Sequence, residues 1–176
     1  ALTIVQADVI DRAQLAEALA TIPPSAPLRG VIHAVGVLDD AALTQLDWQR
    51  FAKVLAPKMQ GAWNLHTLTH EMALDFFVLY SSAVGFLGNQ GQANHAAANA
   101  VLDAFAHYRH AQGLPALSIN LGAWSEIGAA ADMLRQNPQR LAAVGQHAIA
   151  PDQGIQILAY LLQQATTQVG VIPINW

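Results

Sequence analysis

The chain has 176 residues, 53% of them hydrophobic and only 11% charged, which suits one domain with a sizeable core and argues against disorder. A formal net charge of −4 with no basic run gives nothing to attract nucleic acid, and the absence of cysteine excludes disulfides and thiolate metal sites. No apolar run reaches spanning length and the first residues do not form a signal peptide, so no membrane partner and a cytoplasmic location are expected. The sequence opens inside what reads as a strand, as if cut from within a larger polypeptide.

In chain order, Leu2–Val5 predicts a strand, with Asp8-Val9-Ile10-Asp11 at its tip. Asp11 stands where a cap is needed for a helix over Arg12–Thr21, on which Leu15, Ala18, Leu19 and Ile22 share a face; Pro23, Pro24 and Pro27 end it. Gly30–Ala34 predicts a second buried strand, with Gly36 and Leu38-Asp39-Asp40 just beyond it. Trp48–His70 predicts a long helix, kinked or stepped by Pro57 next to Lys58 and weakened by Gly61.

The chain is organised around the stretch from Phe76 to Asn99. Phe76–Tyr80 is a short apolar run, as in a parallel strand covered on both faces, and Ser81-Ser82 sits at its tip, where an open α/β sheet meets ligands. Gly85, Gly88 and Gly91 keep the backbone loose until a helix begins near Asn94 and runs to about Gln112. Gly113 is its expected stop, and His107, Arg109 and His110 suit the negative end of its dipole. Leu117–Leu121 predicts a strand leading to Gly122-Ala123-Trp124. Gly128–Val144 predicts a helical excursion interrupted by Pro138. A helix opens at Pro151-Asp152 with Ile155, Leu158, Ala159 and Leu162 on one side, and Val169–Ile174 predicts the closing strand. Strands alternating with helices imply an α/β, Rossmann-like doubly wound parallel sheet.

Lys58 precedes Ser82 by 24 residues, Ser82 precedes His95 by 13, and His95 precedes Asn99 by 4, which puts the last two on one helix face. Each residue also has a plain structural reading. Ser82 can bond its own turn, Asn99 the helix backbone, and Lys58 can snorkel to the surface, while Asp39 and Asp40 can be solvated turn residues. His66 and His70 are an i, i+4 pair without an H-E-x-x-H and read as a surface helix, so no metal site is expected. Trp63 reads as core and Trp124 as lining a crevice mouth. Gly85–Gly91 has G-x-x-G-x-x-G spacing, not G-x-G-x-x-G, and is not expected to cradle phosphate.

Several phrases together carry a family likeness: ADVID at 7–11, PLRGVIHAVGVLDD at 27–40, LAPKMQGAWNLH at 55–66, DFFVLYSSAVGFLG at 75–88 and GQANHAAANAVLDAFAHYRHAQGLPALSINLGAW at 91–124. The sequence resembles the short-chain dehydrogenase/reductase superfamily and, more closely, the ketoreductase domain of modular polyketide synthases. The likeness covers the later two thirds of such a domain, so residues 1–176 are expected to be the C-terminal portion of one Rossmann domain, with a lid at about 128–148. The resemblance implies NADPH as cofactor. It implies as substrate a β-ketoacyl thioester on the phosphopantetheine of an acyl carrier protein, and as partners that carrier and neighbouring synthase domains.

The resemblance also implies residue roles. Lys58, Ser82, His95 and Asn99 occupy the catalytic positions. The serine would hold the carbonyl oxygen, residue 95 would protonate it, the lysine would ease that proton's loss and the asparagine would order the relay. Asp8, Val9, Ala34, Gly36, Lys58 and Gly122 occupy cofactor-binding positions. Leu38, Asp39, Asp40, Leu87, Gln90 and Asn94 occupy substrate and stereocontrol positions. Leu38-Asp39-Asp40 matches the fingerprint of the B-type, which sets a D-configured alcohol; Leu87 stands where the opposite type has tryptophan, and Gln90 where the B-type often has proline.

Two departures from the family pattern matter. Position 95 is histidine where the family has tyrosine. A neutral imidazole that donates leaves an unstable conjugate base, and an imidazolium is opposed by the Lys58 charge. Weak reduction or none is therefore expected, and a catalytically silent structural domain is the alternative. In addition, the family's first strand, glycine-rich pyrophosphate loop and second strand are absent from this sequence. The opening strand would lack a neighbour, and the 176 residues alone are expected not to form a stable, cofactor-binding fold.

Overall fold

The structure, a computed structural model, describes residues 2–136, 139 and 141–175. Helix α1 (Arg12–Ala20) starts where Asp11 accepts hydrogen bonds from the Ala13 and Gln14 amides, as the capping reading requires. Strand β1 (Gly30–His33) leads through a 3₁₀ turn at Leu43–Gln45 to α2 (Trp48–Thr69). Strand β2 (Phe76–Ser82) is followed by the short α3 (Val84–Leu87) and by α4 (Ala93–Ala111). Strand β3 (Leu117–Leu121), α5 (Ala129–Gln136), a second 3₁₀ turn (Ala142–Val144), α6 (Pro151–Leu161) and β4 (Gln168–Val171) complete the chain. The four strands pair in parallel in the order β1-β2-β3-β4.

The period of two along β2 sorts the core. Phe77 and Leu79 face α2 and α4, in a cluster with Val31, Ala62, Leu65, Leu102 and Ala106. Val78 faces the other way, with Ile119, Leu121, Ile149 and Leu161 beneath α6. Helices on both faces of a parallel sheet make the doubly wound arrangement, and they leave the C-terminal strand ends, at His33, Ser82 and Leu121, free to form a site.

Several expectations need correction. Leu2–Val5 forms no strand; Leu2 and Ile4 stand 89% and 87% exposed, because no strand among the described residues lies alongside to bond them. β1 is half-buried, with Ile32 turned outward, since it is the edge of this sheet. The glycine stretch after β2 is not wholly loose but contains α3, and the closing strand stops at Val171. Gly61 is a packing necessity as well as a weak helix former: a Cβ there would come within 3.0 Å of both His33 and Val9. Trp63 lies 44% exposed on the α2 surface among Phe105, Tyr108 and His66. Trp124 packs so closely on α6 that a Cβ on Gly154 would lie 2.1 Å from its ring. Arg109 does stand in the last turn of α4, but it is 1% exposed, its guanidinium stacked 3.8 Å over the Phe77 ring centroid and bonded to His66 Nδ1 at 2.7 Å. That bond buries His66, which was expected on the surface. Pro138 lies outside the described residues. The end of the 128–148 segment is tied to the body, with the His147 amide donating to the Pro173 carbonyl and the Ile149 amide to the Ala123 carbonyl.

Candidate active site

Lys58 comes from the middle of α2, next to Pro57, and is 6% exposed. It does not snorkel. Its ammonium donates to the Tyr80 carbonyl at 3.0 Å, at the tip of β2. Burial draws its pKa down to about 8, against an upward pull from the carboxylate of Asp103. Gly36 lies against the lysine; a Cβ there would meet Lys58 Cε at 3.2 Å, so glycine leaves the lysine side chain its room.

The first turns of α4 bring Asn94, His95 and Asn99 to the same end of the sheet. Asn94 Oδ1 accepts from the His95 amide at 2.8 Å. Asn99 Nδ2 donates to the His95 carbonyl at 2.8 Å, and Asn99 O accepts from Ser81 Oγ at 3.3 Å. Burial, then the Lys58 charge, pushes His95 down to about 4, with Asp40 pulling the other way. The ring is therefore neutral at neutral pH. His33, at the end of β1, is also held at about 4 by burial and by Lys58. His95 Nδ1, Asn99 Oδ1 and His33 Nε2 are buried without a partner among the described residues. Buried polar atoms left in that state are costly.

Ser82 sits half-buried at the strand tip, its Oγ accepting from the Val84 amide at 3.2 Å as α3 begins, so the turn-bonding reading is realised. Its hydroxyl proton remains free to donate elsewhere. The residues bracketing it belong to a buried network that the sequence reading missed. Asp103 accepts from Ser118 Oγ at 2.6 Å and from Asn120 Nδ2 at 2.8 Å, and Asn120 Nδ2 also reaches Ser81 Oγ at 3.0 Å. A signal existed: His95, Asn99 and Asp103 repeat every four residues along one face of α4.

Leu38-Asp39-Asp40 forms a loop fastened at both sides. Asp39 is paired with Arg50 and, at 3.0 Å, with Lys53, and its carbonyl accepts from Asn94 Nδ2 at 2.8 Å. Asp40 Oδ2 accepts from Gln92 Nε2 at 2.7 Å. Asp39 is partly buried, whereas Asp40 is exposed, as a solvated turn residue would be. Leu38, Leu87 and Gln90 stand exposed around the loop, while Asn94 is fully buried. Ala34 is exposed past β1, and Gly122 closes β3 with its amide on the Val171 carbonyl at 2.8 Å. Val9 is tied to α2 through Asn64, which donates to its carbonyl at 3.0 Å. Asp8 bonds its own turn, at the Ile10 amide, and joins neither cluster.

The KR domain family model matches residues 1–126 of the chain. The chain belongs to the ketoreductase (KR) domain family of polyketide synthases. It is 44% identical over 169 residues to polyketide synthase GfsB of Streptomyces halstedii, covering 96% of this chain and 3% of that one. It is 46% identical over 138 residues to mycoketide-CoA synthase of Mycobacterium tuberculosis, covering 75% of this chain and 3% of that one. Among solved structures it superposes on an A-type ketoreductase from a modular polyketide synthase with a TM-score of 0.93 at 38% identity, covering 99% of this chain and 36% of that one. On the first ketoreductase of the tylosin synthase the TM-score is 0.80 at 37% identity, with 96% and 36% covered. The chain thus spans about a third of these ketoreductases and a few per cent of the synthases. The ketoreductase fold accounts for the Rossmann-like sheet, and the family's reaction class is reduction of a β-ketoacyl group.

Among the described residues no helix of this ketoreductase domain is long and apolar enough to cross a membrane, and no group of three or more His, Asp or Glu could hold a metal ion.

Proposed function

We propose that residues 1–176 are the C-terminal portion of a single ketoreductase domain, with 128–148 as its lid. It reduces a β-ketoacyl thioester, held on the phosphopantetheine of an acyl carrier protein, within a cytoplasmic polyketide synthase beside neighbouring synthase domains. The observation that carries this reading is the buried Lys58 ammonium at the tip of β2, beside Ser82 and the His95–Asn99 face of α4. The unpartnered Asn99 Oδ1, an acceptor, suits a polar ring such as nicotinamide. NADPH would supply the hydride. Ala34, Gly36, Lys58 and Gly122, with Val9 and Asp8, would hold it, whereas no G-x-G-x-x-G occurs in the sequence to cradle its pyrophosphate.

In this reading the Ser82 hydroxyl hydrogen-bonds the substrate carbonyl oxygen and keeps its proton, Lys58 supplies positive charge where negative charge develops, and His95 would pass on the proton that completes the alcohol. Asn99 fixes the first turns of α4 through its bond to His95 O. Leu38-Asp39-Asp40, with Leu87, Gln90 and Asn94, directs the substrate toward a D-configured alcohol.

One observation favours a second reading, a catalytically silent ketoreductase-like domain. His95 is neutral and faces a cation, so it is a poor source of the proton that reduction requires. NADPH oxidation with a small β-ketoacyl thioester, measured on the full-length protein and on its His95→Tyr variant, separates the two. Comparable turnover in both supports reduction through histidine. Turnover in the tyrosine form alone supports the silent domain, and none in either refutes the catalytic reading.

A further inference from the structure

The two aspartates of the 38–40 loop have their carboxylates occupied by residues of this chain. Both Nε and a terminal nitrogen of Arg50 bond Asp39 Oδ1, the former at 2.8 Å, and the same terminal nitrogen reaches the Asp40 carbonyl at 3.2 Å. Lys53 takes Asp39 Oδ2, so both carboxylate oxygens already have partners within this chain. On the loop's other side Gln92 holds Asp40, and the Ala41 amide donates to the Gly91 carbonyl at 2.9 Å. Gly91 has a φ of +78°, a conformation that brings its carbonyl to the loop and that side chains disfavour. The loop thereby bridges the first turns of α2 and α4. Its contact with α4 is Asn94, whose side chain donates to Asp39 O with one end and accepts the His95 amide with the other.

We infer that Arg50 is a positioning residue that, through Asp39 and Asn94, sets where His95 and the substrate-facing loop stand. The inference on product configuration rests on the proposed stereocontrol role of residues 38–40. A guanidinium fork fixes orientation as well as distance, which a lysine cannot reproduce. In this inference Asp39 acts through the geometry of the loop. Two basic residues at i and i+3 in the first turns of a helix, shortly after an Asp-Asp pair, are the sequence trace of this clamp.

The test is hydrogen exchange on the full-length protein and its Arg50→Ala and Arg50→Lys variants, with the configuration of the alcohol read from a β-ketoacyl thioester. In Arg50→Ala the Ala41 and His95 amides are expected to exchange about tenfold faster while Asn120 in β3 is unchanged. The ratio of alcohol configurations shifts severalfold, and Arg50→Lys recovers part of both effects. Unchanged exchange at the two amides overturns the inference, as does faster exchange with an unchanged configuration. If no variant turns over, including His95→Tyr, the reductase reading fails instead, and the exchange pattern by itself decides whether Arg50 positions the loop.

Discussion

Burial and, behind it, the Lys58 ammonium hold the His95 imidazole at a pKa of about 4, so the cation that would activate a tyrosine at this position keeps a histidine uncharged. Lys58 acts in the same sense on His33. Replacing it by methionine removes a buried charge as well as a donor to Tyr80 O. Lys58→Met is expected to raise the pKa of both histidines, read by NMR titration of their imidazole protons. It should also stabilise the fold by about 1–2 kcal/mol while abolishing any reduction, the usual exchange of stability for a functional charge. Unmoved histidine titrations would show that the ammonium does not reach them.

Acid should unfold the protein earlier than its carboxylates require. His33 has a folded pKa of about 4 against the ordinary 6.5 of a histidine, and His66 is lowered as well, by burial, Arg109 and His70. Both favour the neutral form when folded, so between about 6.5 and 4 the unfolded chain binds more protons and stability rises with pH. The contribution is present above 6.5 and lost as pH falls; for His33 the loss reaches about 3 kcal/mol once pH is below 4. Chemical denaturation across pH 4–7 checks the slope, and His33→Asn should flatten part of it.

Arg109 is buried on Phe77 with a neutral imidazole as its acceptor, and among the described residues no carboxylate pairs with it. Burial lowers its pKa to about 10, which still leaves it charged at neutral pH. His66→Phe keeps the ring and removes the acceptor from a buried cation. The expected cost is about 2 kcal/mol, visible as a lower denaturation midpoint at unchanged slope. A loss near zero would mean that the Pro115 carbonyl, 3.2 Å from Arg109 Nε, suffices.

Gly154 lies inside α6, where alanine ordinarily gains about 1 kcal/mol in helix propensity. Here an added Cβ would lie 2.1 Å from the Trp124 ring, and overpacking of that kind costs about 1–3 kcal/mol. Gly154→Ala should therefore lower the melting temperature, and Trp124→Phe in the same chain should recover part of the loss. Additive losses in the double variant would refute the contact as the cause.

The alternation of apolar runs and amphipathic stretches made the four parallel strands and the main helices legible, because a strand covered on both faces and a helix covered on one impose different spacings. The opening strand was misread for a complementary reason: Leu2–Val5 has strand-like residues, but a strand exists only where another bonds it, and pairing is not local. Trp63 was misread as core for the same reason, since size and hydrophobicity do not say which neighbour a side chain meets. Of the site, the spacing of Lys58, Ser82, His95 and Asn99 and the Leu38-Asp39-Asp40 loop were readable; the partners of those residues were not.

Sequence alone determined the fold class, the family and the histidine at position 95, because these depend on residue order and identity. Tertiary structure alone decided that Lys58 is buried, that this histidine is held neutral, that Asp103 is held by Ser118 and Asn120, and that Arg50 fastens the aspartate loop to α2 while Asn94 fastens it to α4. Those properties come from the dielectric and the neighbours at each group, and both are set by segments tens of residues away that only folding brings together.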